Sequence, residues 1–69
     1  MQLSARNQLK GKIKSINKGP VSTEVVIDVS GTEIVASITT GSAEALNLKV
    51  GDQAVAVIKA SSVMVGIPD

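Results

Sequence analysis

Three short segments of this 69-residue chain are rich in groups that donate hydrogen bonds. They read SARN at 4–7, TTGS at 39–42 and KASS at 59–62. Together they hold one arginine, one lysine, several hydroxyl groups and small residues that leave backbone N–H groups accessible, but no carboxylate. Such a set suits a compact dianion with four oxygens, held by charge and many hydrogen bonds. A metal cation would instead need carboxylate, His or Cys ligands.

The same segments also have ordinary structural interpretations. Polar clusters usually face water, and TTGS precedes a run of helix formers. Ser42 can cap that helix, although Glu44 lies too close to it to complete a capping box. Free N–H groups at the helix start, with hydroxyls and Gly41 nearby, would equally make a cradle for an anion. The residues alone leave both interpretations open.

Composition argues against most enzymatic chemistry. The chain has no His and no Cys, which removes the commonest metal ligands and the commonest general base. Lys59 and Ser61 lie two residues apart, so on a strand they would share a face and could form a Ser–Lys pair. No oxyanion-hole motif or cleft accompanies that pair. We therefore expect a binding protein rather than an enzyme.

Lys10, Lys12 and Lys14 form the main charged stripe. It is typical of a solvated strand face that discourages edge pairing, and the alternative is a surface for single-stranded nucleic acid. Nucleic-acid binding normally needs aromatic side chains for base stacking, whereas the chain has no Phe, Trp or Tyr and a net charge of only +1. No membrane-spanning run and no signal peptide stand out. We expect no nucleic-acid or membrane partner and a cytoplasmic location.

The elements that must position these residues are mainly strands. Val and Ile number 17 against 4 Leu, and β-branched residues favour strands. A short helix between the third and fourth of five strands is the order of an OB fold. The sequence therefore predicts one all-β domain over 1–69, an OB-like five-stranded small barrel, which is short enough to need an oligomer for stability. The predicted strands cover 9–16, 21–29, 34–38, 54–59 and 63–65, with turns at 17–20, 30–32 and 49–52 and a helix over 42–47.

The stretches SARNQLKGKI, ITTGSAEALNLKVGDQ and AVIKASSVMVGI closely resemble the molbindins, the Mop family of small molybdate-binding proteins. The resemblance runs over essentially the whole chain. The chain resembles the free-standing form of the family, without the DNA-binding or ATPase part of larger relatives. It implies an OB-like barrel that assembles as a homohexamer, a trimer of dimers. It also implies that molybdate or tungstate binds between subunits and is stored or buffered there.

The resemblance implies particular site residues as well. Arg6 and Lys59 would offset the charge of the dianion, while hydroxyls and backbone amides would fix its oxygens. More than one chain is expected to contribute, with assembly rather than chain proximity bringing the two cations to one anion. Two alternatives remain: an OB module for nucleic acid, and an assembly module in which bound anions are incidental. The implied oxyanion-binding residues are Ser4, Ala5, Arg6, Thr39, Ser42, Lys59, Ala60 and Ser61.

Overall fold

The computed structural model describes residues 4–69 of the chain, and four strands in these residues form one antiparallel sheet in the order β3-β2-β1-β4. The sheet curls into a half-barrel, and one short helix lies between the third and fourth strands. The predicted all-β, OB-like fold is confirmed. The elements are β1 (Asn7–Lys18), β2 (Ser22–Val29), β3 (Thr32–Thr39), α1 (Thr40–Ala45), β4 (Gln53–Ile58) and a 3-10 helix (Ala60–Ser62).

The core lies on one face of this sheet and is built from aliphatic side chains. Along β2, Thr23, Val25 and Ile27 are buried, in the strict alternation that predicted this strand. Ile13 from β1 and Ala56 from β4 complete the buried apolar cluster. The partly buried residues that pack around it are Ile16, Val29, Ile34, Ile38, Leu48 and Ala54.

Strand β1 departs from even alternation because its pairing with β2 shifts between Ile13 and Ser15. Ile13 is buried and Ile16 packs against the same core, although the two residues are an odd number apart. A β-bulge inserts one extra residue and so reverses which side chains face inward. The residues before the bulge pair mainly with β4, and those after it pair with β2.

Gly11 lies where β1 changes partners, and the backbones approach closely there. A Cβ atom at this position would lie 2.3 Å from the carbonyl oxygen of Asp28 and 2.9 Å from Cγ2 of Ile27. Both distances are too short for any real side chain, so β1 can pass β2 at this point only with glycine.

Two turns form as the sequence predicted. Ser30 (φ 51°) and Gly31 (φ 92°) both have positive φ, the conformation of a tight two-residue hairpin turn. The Asp28 carboxylate accepts a hydrogen bond from the Gly31 N–H at 3.1 Å. The later turn contains Gly51 (φ 94°), whose N–H donates to the carbonyl of Ile13 at 2.8 Å. That bond fixes the turn before β4 to the bulged part of β1.

Helix α1 begins two residues before the predicted start. Its N-cap is Thr39 rather than Ser42: the backbone of Thr39 is extended, and its side chain accepts a hydrogen bond from the Ser42 N–H at 3.1 Å. Both hydroxyl residues suit a cap, and the one at the end of β3 has the role. The N–H of Thr40, the first helical residue, bonds the carbonyl of Val21.

The other end of α1 closes through a residue with left-handed backbone. Asn47 has φ 52°, and its N–H donates to the carbonyl of Glu44 at 3.0 Å. The N–H of Leu48 donates to the carbonyl of Ala43 at 3.4 Å, which gives the two bonds of a Schellman motif. Within residues 4–69, no helix is long and apolar enough to cross a membrane.

The C-terminal part differs from the expected five strands. Strand β4 ends at Ile58, and the predicted strand over 63–65 is not formed in the described chain. A strand needs a neighbour for its N–H and C=O groups, and these residues lie against none. Their side chains are exposed instead, with Met64 at 94% and Val65 at 93%.

Candidate oxyanion site

Two of the three donor-rich segments meet at one end of the sheet. Asn7, the first residue of β1, pairs with Ile58, the last residue of β4. The antiparallel register therefore places Arg6 and Lys59 side by side just beyond this pair. The side-chain amide of Asn7 also donates to the carbonyl of Ile58 at 3.2 Å. We call residues 4–6 and 59–61 the cationic end.

Strand pairing within one chain ends at Asn7 and Ile58, so Arg6 and Lys59 each lie one residue beyond the last pair. That assembly of several chains brings the two cations to one anion stays a prediction. Their backbone is well anchored: Ala5 is buried, and its carbonyl accepts from the side-chain amide of Gln8 at 3.2 Å. The N–H of Ser62 donates to the carbonyl of Lys59 at 2.9 Å.

The cationic side chains themselves are exposed and available. Among residues 4–69, neither Arg6 nor Lys59 takes part in an ion pair, whereas Lys14 and Lys18 both do. Ser4, Ala60 and Ser61 are exposed beside them.

The Ser–Lys pair considered from the sequence does not have the geometry that motivated it. Ser61 lies in the 3-10 helix, and Lys59 is the residue before that helix, so the two do not share a strand face. In the part of the chain that the structure describes, no group of three or more His, Cys, Asp or Glu side chains could hold a metal ion. The side chains exposed at the cationic end are a guanidinium, an ammonium and serine hydroxyls, all of which can donate hydrogen bonds.

The third segment forms a second, separate group, the hydroxyl end, made of Thr39 and Ser42. The Thr39 hydroxyl accepts from the Ser42 N–H and donates to the Ser42 hydroxyl oxygen at 2.7 Å. A hydroxyl has a single proton, so the Ser42 hydroxyl is the one left to donate outward. Thr40 N–H and Ser42 N–H are both occupied within the chain, so these two groups are not available to an anion cradle, and the Ser42 hydroxyl is the side-chain donor at this end.

The two ends lie at opposite ends of β1. Thr39 pairs with Ser22, and the next residue of β2, Thr23, pairs with Lys18, where β1 finishes. The cationic end adjoins Asn7, where β1 begins. Eleven steps of strand, roughly 36 Å at the usual rise per residue, run between them. The structure therefore brings two of the segments together and leaves the third at the far end of the sheet.

Sequence reasoning missed four residues that hold the two ends in place. Asn7 and Gln8 belong to the SARNQ motif, and their side-chain amides fix the cationic end as described above. Thr23 and Thr40 hydrogen-bond each other under the hydroxyl end. A polar residue within the apolar face of β2 was the signal for Thr23, and nothing in the sequence distinguished Thr40 from its neighbours.

The lysine stripe lies on the solvated face of β1, as predicted. Lys10, Lys12 and Lys14 are all exposed. Lys14 forms an ion pair with Glu33, and the hydrogen bond between them raises the pKa of the Lys14 ammonium above its ordinary value. Lys10 and Lys12 border an open cleft of about 430 Å³ over the β1–β4 ladder. Exposed lysines on a strand face form no site by themselves.

Comparison with known proteins places this geometry in a family. Residues 3–65 match the TOBE domain. A probable molybdenum-pterin-binding protein of Haemophilus influenzae is 50% identical over 68 residues, which cover 97% of this chain and 99% of that protein. The structure of a molybdate binding protein from Sporomusa ovata superposes with a TM-score of 0.93 at 42% identity, over 97% of this chain and 100% of that one.

A further solved structure is that of the cytoplasmic molybdate-binding protein ModG with molybdate bound. It superposes with a TM-score of 0.92 at 46% identity and covers 99% of this chain and 49% of the ModG chain. These matches define the class, and the chain belongs to the TOBE domain family. Within that class it groups with the molbindins, so the resemblance carried by SARNQ and KASSV is confirmed. These relatives are named as binding proteins rather than enzymes.

Proposed function

We propose that this protein binds molybdate or tungstate reversibly at the interfaces of a homo-oligomer and so stores or buffers the anion. The observation that carries the proposal is the division of the donors between two ends of one sheet. Arg6 and Lys59 lie at one end and form no ion pair among the described residues, and the Thr39 and Ser42 hydroxyls lie at the other. Two copies of the chain, placed so that opposite ends meet, would bring both donor groups to one anion.

The proposed mechanism involves no covalent step. Arg6 and Lys59 offset the two negative charges, and charge-assisted hydrogen bonds to oxyanions are among the strongest in proteins. Ser4 and Ser61 supply further hydroxyls, and backbone N–H groups at Ala5 and Ala60 complete the cationic half. Each of these residues stays a proposal for the site.

The hydroxyl half would act through a short relay. The Ser42 N–H donates to the Thr39 hydroxyl, which donates to the Ser42 hydroxyl. Hydrogen bonds in a chain polarise one another, so the last proton becomes a better donor. An anion in contact with Ser42 would receive that proton without any rearrangement of the chain.

Exposed apolar side chains support assembly. Met64, Val65 and Ile67 follow the cationic end, and each is at least 89% exposed in the single chain. Val35 on the outer strand β3 is 60% exposed. An exposed apolar segment such as 64–67 marks an interaction surface. We propose that a second copy covers it, in the homohexamer that the family resemblance implies.

An interface site links the ligand to the oligomer. An anion that binds only the assembled form stabilises that form by mass action. We also propose a cytoplasmic location, the one named for ModG. A single domain over residues 1–69 is supported by the one sheet and one core of the described residues.

The decisive experiment is calorimetric titration of the purified protein with molybdate and tungstate, with sulfate as the matched tetrahedral control. We expect saturable heat with the first two anions and weaker or no heat with sulfate. Light scattering on the same sample should give the mass of an oligomer. Absence of heat with molybdate on anion-free protein would contradict the proposal.

The second candidate function, a pure assembly module, is favoured by the exposed C-terminal segment alone. Val65→Asp would place a charge in that segment, and Thr32→Asp, on an exposed hairpin residue, is the control. If the site lies at an interface, Val65→Asp should reduce both the oligomer mass and the molybdate heat. An oligomer that forms and melts identically with and without oxyanion would favour the assembly module.

A further inference from the structure

Two buried threonines form a hydrogen-bonded chain beneath the hydroxyl end. Thr23 is 0% exposed and Thr40 is 8% exposed. Their hydroxyl oxygens lie 2.8 Å apart, and the Thr40 hydroxyl donates to the carbonyl of Gly19 at 2.6 Å. Because the Thr40 hydroxyl donates its one proton to the Gly19 carbonyl, the Thr23 hydroxyl must be the donor in its bond to Thr40. These hydrogen bonds therefore connect strand β2, through the first residue of α1, to the turn after β1.

This chain of bonds fixes the start of α1 from two sides. The backbone N–H of Thr40 donates to the carbonyl of Val21 at 2.9 Å, and its side chain reaches Gly19 on the same turn. A six-residue helix is too short to be stable alone. Its buried residues are only Thr40 and Ala43, so Thr40 carries most of its polar attachment to the sheet.

The attached residue lies between the two hydroxyls of the candidate site. Thr39 precedes Thr40 directly, and Ser42 lies two residues later and shares its hydrogen bonds with Thr39. A shift or rotation at Thr40 would move both hydroxyls together. A valine at position 40 would fill nearly the same volume but would leave the carbonyl of Gly19 without this donor and the start of α1 without this attachment.

We propose that Thr40 and Thr23 are positioning residues of the oxyanion site, and that they hold the bonded Thr39–Ser42 pair in the orientation from which the Ser42 hydroxyl donates to the anion. This inference rests on the proposed function and adds to it a set of residues that never touch the ligand.

The test compares variants that remove or keep the hydroxyl. Thr40→Val removes it at nearly constant volume, and Thr40→Ser keeps it. Thr23→Val removes only the donor to Thr40 and leaves the bond to Gly19 in place. Thr32→Val, on the exposed first residue of β3, is the matched control outside the network. Thermal melting shows which variants are folded at the temperature of the titration.

Molybdate affinity by calorimetry is the readout. We expect Thr40→Val to weaken binding about three- to tenfold, the weight of one neutral hydrogen bond. Thr23→Val should have a smaller effect in the same direction, whereas Thr40→Ser and Thr32→Val should bind like the parent protein. A purely structural role would lower the melting temperature of Thr40→Val and leave the affinity of the folded protein unchanged, and that result would overturn the inference.

A double-mutant cycle tests the route of the effect. If Thr40 acts through the hydroxyl end, Thr40→Val should lose most of its effect on affinity when Ser42→Ala is already present. An undiminished effect in that background would also overturn the inference. Failure of the proposed function is separate, because then the unmodified protein itself gives no heat with molybdate. If Thr40→Val does not fold, Thr23→Val and its cycle with Ser42→Ala carry the same test.

Discussion

The two ends of the candidate site are built in opposite ways. At the cationic end the backbone is anchored by β1–β4 pairing and by the amides of Asn7 and Gln8, while the charged side chains form no ion pair within residues 4–69. At the hydroxyl end the side chains themselves are engaged, since Thr39 and Ser42 bond each other. The cationic side chains are exposed to solvent, whereas the hydroxyls of Thr39 and Ser42 are already oriented by their hydrogen bond to each other.

This difference suggests a division of labour between the ends. Exposed cations are flexible and hydrated, so they supply attraction and adapt to the anion. Pre-oriented hydroxyls lose little freedom on binding, so they supply geometry at low entropic cost. We therefore expect the two cations to contribute more to the affinity for the anion, and the hydroxyls to contribute more to its orientation in the site.

The largest predicted effect is at the cationic end. Arg6→Ala and Lys59→Ala should each weaken molybdate binding by about 1.5–3 kcal/mol, because each removes a charged donor. The matched control is Lys10→Ala, which removes an exposed cation of the stripe outside the site. Calorimetric titration gives the three affinities. Unchanged binding in both Arg6→Ala and Lys59→Ala would remove the cationic end from the site.

The next effect concerns the strand that joins the two ends. Gly11→Ala should lower the free energy of unfolding by about 1–3 kcal/mol, as overpacking does, because the new methyl group meets the backbone of Asp28. Gly41→Ala is the control, since nothing lies within 4 Å of its added methyl group; it should stabilise by roughly 0.5–1 kcal/mol. Urea unfolding measures both. Equal stabilities would show that β1 tolerates a side chain at its crossing point.

Substitutions at the hydroxyl end should weaken binding less, and one of the two should also lower the stability of the protein. Ser42→Ala should weaken binding by about 0.5–1.5 kcal/mol, the weight of a neutral hydrogen bond, and leave α1 intact. Thr39→Ala should also lower the stability of the protein by about 1 kcal/mol, because it removes the helix cap. Titration and thermal melting separate the two quantities. If Ser42→Ala weakens binding as much as Arg6→Ala, the division of labour between the ends is wrong.

The smallest effect belongs to the ion pair outside both ends. The hydrogen bond to Glu33 raises the pKa of Lys14 above its ordinary value of 10.5. The stabilisation by this pair is therefore complete below that value and is lost as pH rises through the pKa of the folded state. Unfolding followed between neutral and strongly alkaline pH should show a slight decline that Glu33→Gln abolishes. Molybdate affinity at neutral pH should be the same in Glu33→Gln and the parent.

The sequence predicted the strands best where one face is buried throughout. On β2 the alternation of Thr23, Val25 and Ile27 determined which face of the strand turns toward the core. The segment 63–65 has the same β-branched character, yet it pairs with no strand among residues 4–69. Alternation reports which face is apolar and says nothing about which strand completes the hydrogen bonds.

The candidate site was predicted in its residue types better than in its geometry. SARN and KASS were recognised as donors, but their placement at one end of the sheet depends on the pairing of Asn7 with Ile58, which spacing in sequence cannot reveal. The helix starts at Thr40, whose N–H bonds the carbonyl of Val21 and whose hydroxyl bonds the carbonyl of Gly19. Both outcomes depend on contacts between residues far apart in the chain, which local patterns do not encode.

The length of β1 has a consequence for how this fold can change during evolution. The bulge near Ile13 fixes which side chains face inward. Insertion or deletion of one residue would move the inward side chains of part of the strand to the solvent face. Insertion of two residues would keep every side chain on its proper face but would move the two donor groups about 7 Å further apart along the strand. Such a protein would fold, but its cationic end and hydroxyl end would no longer be spaced to meet those of other copies in the proposed oligomer. Apart from Gly11, substitutions along the exposed positions of β1 should therefore be accepted more readily than changes in its length.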